Sequence, residues 1–403
     1  MSKRIFVTGM GIITSIGTNT KENFDSLLSL RSGIGKLELF SSIHADTIPV
    51  GEIKLSDSVL CKMAGVEENS GYTRTALIGL IATKEALESA EILNLKEART
   101  GLISSTTVGG MREFENILSD LTDLTKDGDF RNYAHVTDAG EHTERIADLF
   151  GFKDYVSTTS TACSSASNAI ILGAELIKHG QLDRVVCGGS DVLSKFTLNG
   201  FNSLMILDKR TMHPFDATRG GVNLGEGAAY VVIESEDMVQ KFNKKPLAEL
   251  TGYSNSNDAF HQTASSPDGD GALLSMTRAL AMAGVKPAEV DYINCHGTAT
   301  ENNDLSEALA IQNLFKEHVP HFSSTKPYTG HTLAAAGSVE AVFAILCIQN
   351  KVLFPNLNFE NQMPEISITP VKSLLQNVEV KHVLSNSFGF GGSNTSLLFS
   401  KVW

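Results

Sequence analysis

The chain reads as an α/β fold, and three observations predict it. Apolar, strand-like runs alternate with stretches whose apolar residues recur at spacings of three and four. One stretch, STTSTACSSASNAII from Ser157, passes from strand through turn to helix without interruption. A weak internal duplication sets it beside SSTKPYTGHTLAAAGSVEAV, and sets DRVVCGGSD at Asp183 beside KHVLSNSFGFGGS at Lys381.

The elements follow in order. RIFVTGMGII from Arg4 reads as the first strand: Thr8, Gly9 and Gly11 break the apolar run and no small-residue cleavage site follows, so it is not a signal peptide. TGMGIIT nearly spells a dinucleotide-binding glycine fingerprint, but Thr14 replaces its third glycine and no long helix pattern clearly follows. After Ser157, the residues Ala166, Ala169, Ile170, Gly173, Ala174 and Ile177 predict a helix that stops at His179-Gly180. Cys163 therefore sits at a helix N-terminus, where free N–H groups and the helix dipole favour a thiolate and predict a pKa below the roughly 8.5 of a free cysteine. A small buried thiol that only fills space is the alternative.

Val290 to Ile293 reads as a buried strand, with Gly297, Thr298 and Thr300 as the turn that carries His296. From Thr332 an alanine-, leucine- and valine-rich helix follows His331. Both histidines thus sit where α/β sheets place their chemistry, although a lone histidine in a turn is more often a cap or surface group. The charged NKKP stretch, Lys241 to Lys245, marks the join between a first half, 1–245, holding the cysteine and a second, 246–403, holding both histidines.

Composition sets bounds. With 403 residues, 42% of them hydrophobic, the chain can bury a large core. A net charge of −13 argues against nucleic-acid or acidic-membrane binding while leaving room for a local basic patch. The five cysteines, at irregular spacings, form neither a disulfide framework nor a zinc pattern, which makes the cytoplasm the expected location. No stretch approaches the roughly 18 apolar residues of a membrane span. His296, Asp304 and Glu307 match no zinc spacing.

Taken together, TACSS at Cys163, CHGTAT at His296, STKPYTGH at His331 and NSFGFGGSN at Asn386 to Asn394 resemble the signature segments of β-ketoacyl-acyl-carrier-protein synthases of the elongating, Cys-His-His type. RIFVTGMGIITSIG with LLSLRSGIG, and HPFDATRGGVNLGEGAA, extend the resemblance over nearly the whole chain. It implies a thiolase-like fold of two pseudo-duplicated halves layered α/β/α/β/α. It implies decarboxylative Claisen condensation of an acyl group on Cys163 with malonyl-acyl carrier protein, in fatty-acid or specialised polyketide or aryl-polyene elongation.

The resemblance also assigns residues. His296 and His331 would act on malonyl decarboxylation, with Lys326 and Glu340 supporting them. The backbone N–H groups of Cys163 and Phe390 would form an oxyanion hole, and Phe390 would gate the malonyl group. Phe388, Thr298 and Thr300 would contact substrate, and Val108 would floor the acyl pocket. Asn294, Glu340, Ser385 and Asn386 would surround a structural Na+ or K+; no other cofactor is implied, phosphopantetheine arriving on the carrier protein. The family is normally homodimeric, and a heterodimer with a related synthase subunit is the alternative.

Departures from the family pattern concern the substrate. Where relatives in fatty-acid elongation read RDGFV, this chain reads Arg219-Gly220-Gly221-Val222-Asn223, losing an acid and an aromatic near the gate, and LDKRTMHPFD before it is shorter. YTRTALIGLIATKEAL resembles specialised polyketide or aryl-polyene synthases more than housekeeping enzymes. The competing functions are weaker. A degradative thiolase needs a second cysteine in the loop that here reads FGFGGSN; an initiating synthase has Asn where His331 stands. A cysteine protease pairs its thiol with one histidine, and a non-catalytic partner subunit lacks the nucleophile.

Overall fold

The computed structural model describes residues 4–402. Ten strands form one sheet: β1 (Ile5–Thr14), β2 (Thr100–Ser105), β3 (Tyr155–Thr159), β4 (Arg184–Asp191), β5 (Gly227–Ser235), β6 (Ala248–Asn257), β7 (Tyr292–Asn294), β8 (His321–Ser323), β9 (His382–Gly389) and β10 (Ser393–Ser400). Their spatial order is β8-β7-β9-β10-β6-β1-β5-β4-β2-β3. In the first half β1 and β4 flank β5 antiparallel, and β4, β2 and β3 run parallel. The second half repeats this: β6 and β9 flank β10 antiparallel, and β9, β7 and β8 run parallel. Two antiparallel pairs, Phe6 with Glu249 and Val7 with Ala248, join the halves through β1 and β6.

Helices repeat as well. α1 (Arg74–Ser89) and α4 (Asp270–Ala283) follow the first strand of each half, α2 (Glu141–Phe150) and α5 (Glu301–Phe315) follow β2 and β7, and α3 (Ser165–Lys178) and α6 (Ala336–Asn350) follow β3 and β8. α3 and α6 pack on each other and on strands of both halves, forming the central layer of an α/β/α/β/α stack, while α1 and α4 cover the outer faces. The duplication inferred from sequence is therefore a repeat of topology.

Local chemistry explains the placement. α6 is buried from Ala336 to Ile348, which suits a helix apolar on every side. Against the sequence expectation, Leu333–Asn350 is long and apolar enough to cross a membrane, yet it is 89% buried and serves as a core helix. The β1 glycines belong to packing: a Cβ on Gly9 or Gly11 would lie 2.4 or 2.1 Å from the backbone oxygen of Ala86 or Ala82 in α1. The NKKP stretch is tied down, with Lys244 Nζ 2.7 Å from Glu234 Oε2. All five cysteines are free and buried.

Candidate active site

Four loops meet between the halves. The first precedes α3. Ala162 adopts a left-handed conformation (φ 53°) that non-glycine residues seldom take, and this turns Cys163 inward. α3 itself begins at Ser165, capped at Ser164, one residue later than a cap at Cys163 would need. The thiol is buried, and burial pushes its pKa up to about 11, against the pull of the Lys326 charge and of the backbone N–H groups of Phe390 and Cys163 that face the sulfur. The lowered pKa expected from sequence is thus corrected: desolvation outweighs the helix terminus.

His331 follows Gly330 in a short stretch that pairs with Leu224, and its Nε2 lies 3.0 Å from Cys163 Sγ. Its Nδ1 is buried and has no hydrogen-bond partner. His296 leaves the end of β7, and its ring stands edge-on to His331 with centroids 5.4 Å apart. Cys163, His296 and His331 each bring a potential ligand atom within 4.8 Å of the others. Both histidines are held well below the ordinary imidazole pKa, chiefly by burial and then by the Lys326 charge.

Lys326 is 1% exposed and explains that electrostatic pattern. Its ammonium donates to the His296 carbonyl at 2.6 Å, lies 3.3 Å from His296 Nδ1, and forms an ion pair with Glu340 Oε1. Burial raises the Glu340 carboxyl to about 7 while Lys326 pulls it back. The carboxylates of Asp304 and Glu307 hold backbone. Glu307 accepts the His296 and Gly297 N–H groups at 3.0 and 2.9 Å, and Asp304 accepts those of Phe215 and Ala299 at 2.7 and 3.1 Å.

The glycine-rich loop after β9 approaches the nucleophile closely. A Cβ on Gly389 would come within 3.0 Å of the Thr161 oxygen and 3.2 Å of the Cys163 nitrogen. Phe390 stacks on Phe201, centroids 5.8 Å apart, and the two rings stand between two spaces. One is a cleft lined by Cys163, His296, His331, Thr298, Thr300 and Phe388. The other is lined by Cys163, Val108, Phe196 and Leu333. Thr298 and Thr300 hydroxyls meet at 2.9 Å. Asn294, Glu340, Ser385 and Asn386 are all buried, and Glu340 Oε2 and Ser385 Oγ have no protein partner.

Of the substituted 219–223 segment, Val222 lines the cleft, whereas Asn223 is buried behind it. Sequence reasoning missed Ile206, Phe201 and the 263–265 wall of the cleft, which no motif marks, and missed Glu307 as the holder of the His296 loop.

Sequence profiles agree with this geometry: the β-ketoacyl synthase N-terminal domain matches residues 2–238 and the C-terminal domain residues 247–360. The chain belongs to the β-ketoacyl synthase family. A 3-oxoacyl-[acyl-carrier-protein] synthase 2 of Staphylococcus aureus is 31% identical over 99% of both chains. A putative mitochondrial synthase of Schizosaccharomyces pombe is 33% identical over 99% of both. Among solved structures, the ishigamide ketosynthase/chain length factor superposes with a TM-score of 0.90 at 27% identity, covering 100% of both chains. A ketosynthase in complex with its chain length factor from Xenorhabdus doucetiae gives 0.87 at 29% identity, covering 99% of this chain and 98% of that one.

Proposed function

We propose that this β-ketoacyl synthase transfers an acyl group to Cys163 and condenses it with a malonyl group on acyl carrier protein. The observation that carries the reading is the convergence of one thiol and two imidazoles on one buried cleft, beside backbone N–H groups that face the sulfur. In the first step Cys163 attacks the acyl thioester, the carrier thiol leaves, and the oxyanion rests on the N–H groups of Cys163 and Phe390. In the second, the malonyl carboxylate departs as CO2 and its electron pair passes to the α-carbon as an enolate, stabilised by donors on His296 and His331. The carbanion attacks the acyl carbonyl, and the Cys163 sulfur leaves and regains a proton. Val108 floors the acyl cavity, Phe390 gates the passage, and Phe388, Thr298 and Thr300 contact the malonyl arm.

Two unpartnered buried oxygens, on Glu340 and Ser385, fit the hard-oxygen chemistry of Na+ or K+ near Asn294 and Asn386. The ion would steady Glu340 and take no part in bond making. Acyl carrier protein is the proposed partner, together with a second copy or a related subunit. The half-exposed outermost strand β3 supports the latter, as do solved relatives captured with a chain length factor. Incubation with acyl and malonyl carrier proteins, followed by intact mass and CO2 release, tests the reading. An acyl adduct on Cys163 that disappears with one equivalent of CO2 supports it, and no adduct refutes it.

A further inference from the structure

Asn223 lies fully buried behind the cleft, and its side chain spends its hydrogen bonds on a single turn. Oδ1 accepts the Met212 N–H at 2.7 Å, and Nδ2 donates to the carbonyls of Asp208 and Arg210, both at 3.1 Å. One donor and two acceptors face it, so only one orientation of the amide satisfies the network. Its own backbone carbonyl accepts the His331 N–H at 2.8 Å, and the His331 carbonyl in turn accepts the Gly225 N–H at 2.9 Å. Just before the gripped turn, the Ile206 carbonyl accepts the Val222 N–H at 2.7 Å. Ile206 and Val222 line the cleft that holds His296 and His331, and neither lines the cavity beside Val108.

We propose that Asn223 is a positioning residue for the malonyl half of the reaction: it fixes the Ile206–Val222 wall of the cleft in register with His331. The proposal rests on the reading that carbon dioxide is lost in that cleft. A residue that merely stabilised the fold would affect both half-reactions alike; one that sets this wall affects only the half that uses it.

Asn223→Asp keeps the bond to Met212 and loses both donations. Acylation of Cys163 by an acyl carrier should stay within about threefold of the native kcat/KM, while condensation with malonyl carrier falls at least about tenfold. Asn358→Ala is the control, since Asn358 Nδ2 holds the Met212 carbonyl at 3.0 Å from the outer side; it should lower both steps equally or not at all. If Asn223→Asp does not fold, Asn223→Ser carries the same expectation. Equal loss in both half-reactions, no loss in either, or failure of both variants to fold would overturn the assignment. His296→Ala separates it from the underlying reading, because a variant that still condensed would sink that reading whatever Asn223 does.

Discussion

The Lys326 ammonium lies 3.3 Å from Nδ1 of His296, and this contact decides where the ring carries its proton. An ammonium can only donate, so Nδ1 accepts and the neutral imidazole keeps its hydrogen on Nε2. His296 is thereby set as a donor, suited to a developing enolate. Lys326→Met should remove that setting and leave the Glu340 carboxyl buried without its partner, at a stability cost of about 3–5 kcal/mol. Denaturant unfolding of Lys326→Met, Glu340→Gln and the double variant checks it: the double variant should recover most of the single's loss, and purely additive losses would refute the coupling.

Cys163→Ser should abolish acyl transfer with the fold intact, because the change is small and a hydroxyl is a far poorer nucleophile at neutral pH. Intact mass after incubation with acyl carrier should show no adduct. Near-native condensation by this variant would remove Cys163 from the mechanism.

The histidines should divide the reaction. His296→Ala and His331→Ala should both still accept an acyl group on Cys163 and fail to condense it. His331→Ala should acylate more slowly, since His331 Nε2 sits 3.0 Å from the sulfur. Acyl-enzyme formation and CO2 release, measured separately, decide this, and equal losses in both steps for both variants would contradict it.

With its pKa pushed up to about 11, the Cys163 thiol is mostly protonated at neutral pH. Raising the pH raises the thiolate fraction, so alkylation by iodoacetamide should accelerate about tenfold per pH unit from 7 to 10. A plateau near pH 8 would mean a thiol that burial does not dominate.

The 219–223 departures bear on the malonyl half. Val222 lines the cleft that holds His296 and His331 and not the cavity beside Val108, so Val222→Phe should slow condensation with malonyl carrier protein and leave acylation of Cys163 within about threefold. Gly220→Asp should destabilise the chain, because the new carboxylate would meet that of Asp208, whose Oδ2 lies 2.8 Å from a Cβ built at Gly220. Equal losses in both half-reactions for Val222→Phe would show that this wall also serves acyl entry.

Motif and periodicity singled out Cys163, His296 and His331, which the structure brings into one cleft, and the repeat of the halves, because each lies on a strand-turn-helix junction with a local signature. α3 was legible because its apolar residues recur at helical spacing, and α6 because its run is rich in alanine, leucine and valine. What sequence could not supply depends on segments far apart in the chain. The direction of the Cys163 shift turns on burial by four loops, not on the local helix end. Ile206 and Phe201 become cleft residues only when the 201–222 segment folds against His331 and Phe390. The left-handed backbone at Ala162 has no glycine to announce it.

The duplicated sheet places the thiol on one half and both imidazoles on the other, with His331 following Cys163 by 168 residues. During synthesis the sulfur is therefore made long before anything that can use it. A chain interrupted between the halves holds a cysteine without either imidazole and without the Phe390 N–H that faces its sulfur. The site is complete only with the last two strands of the second half in place, β10 paired against β6 and β9.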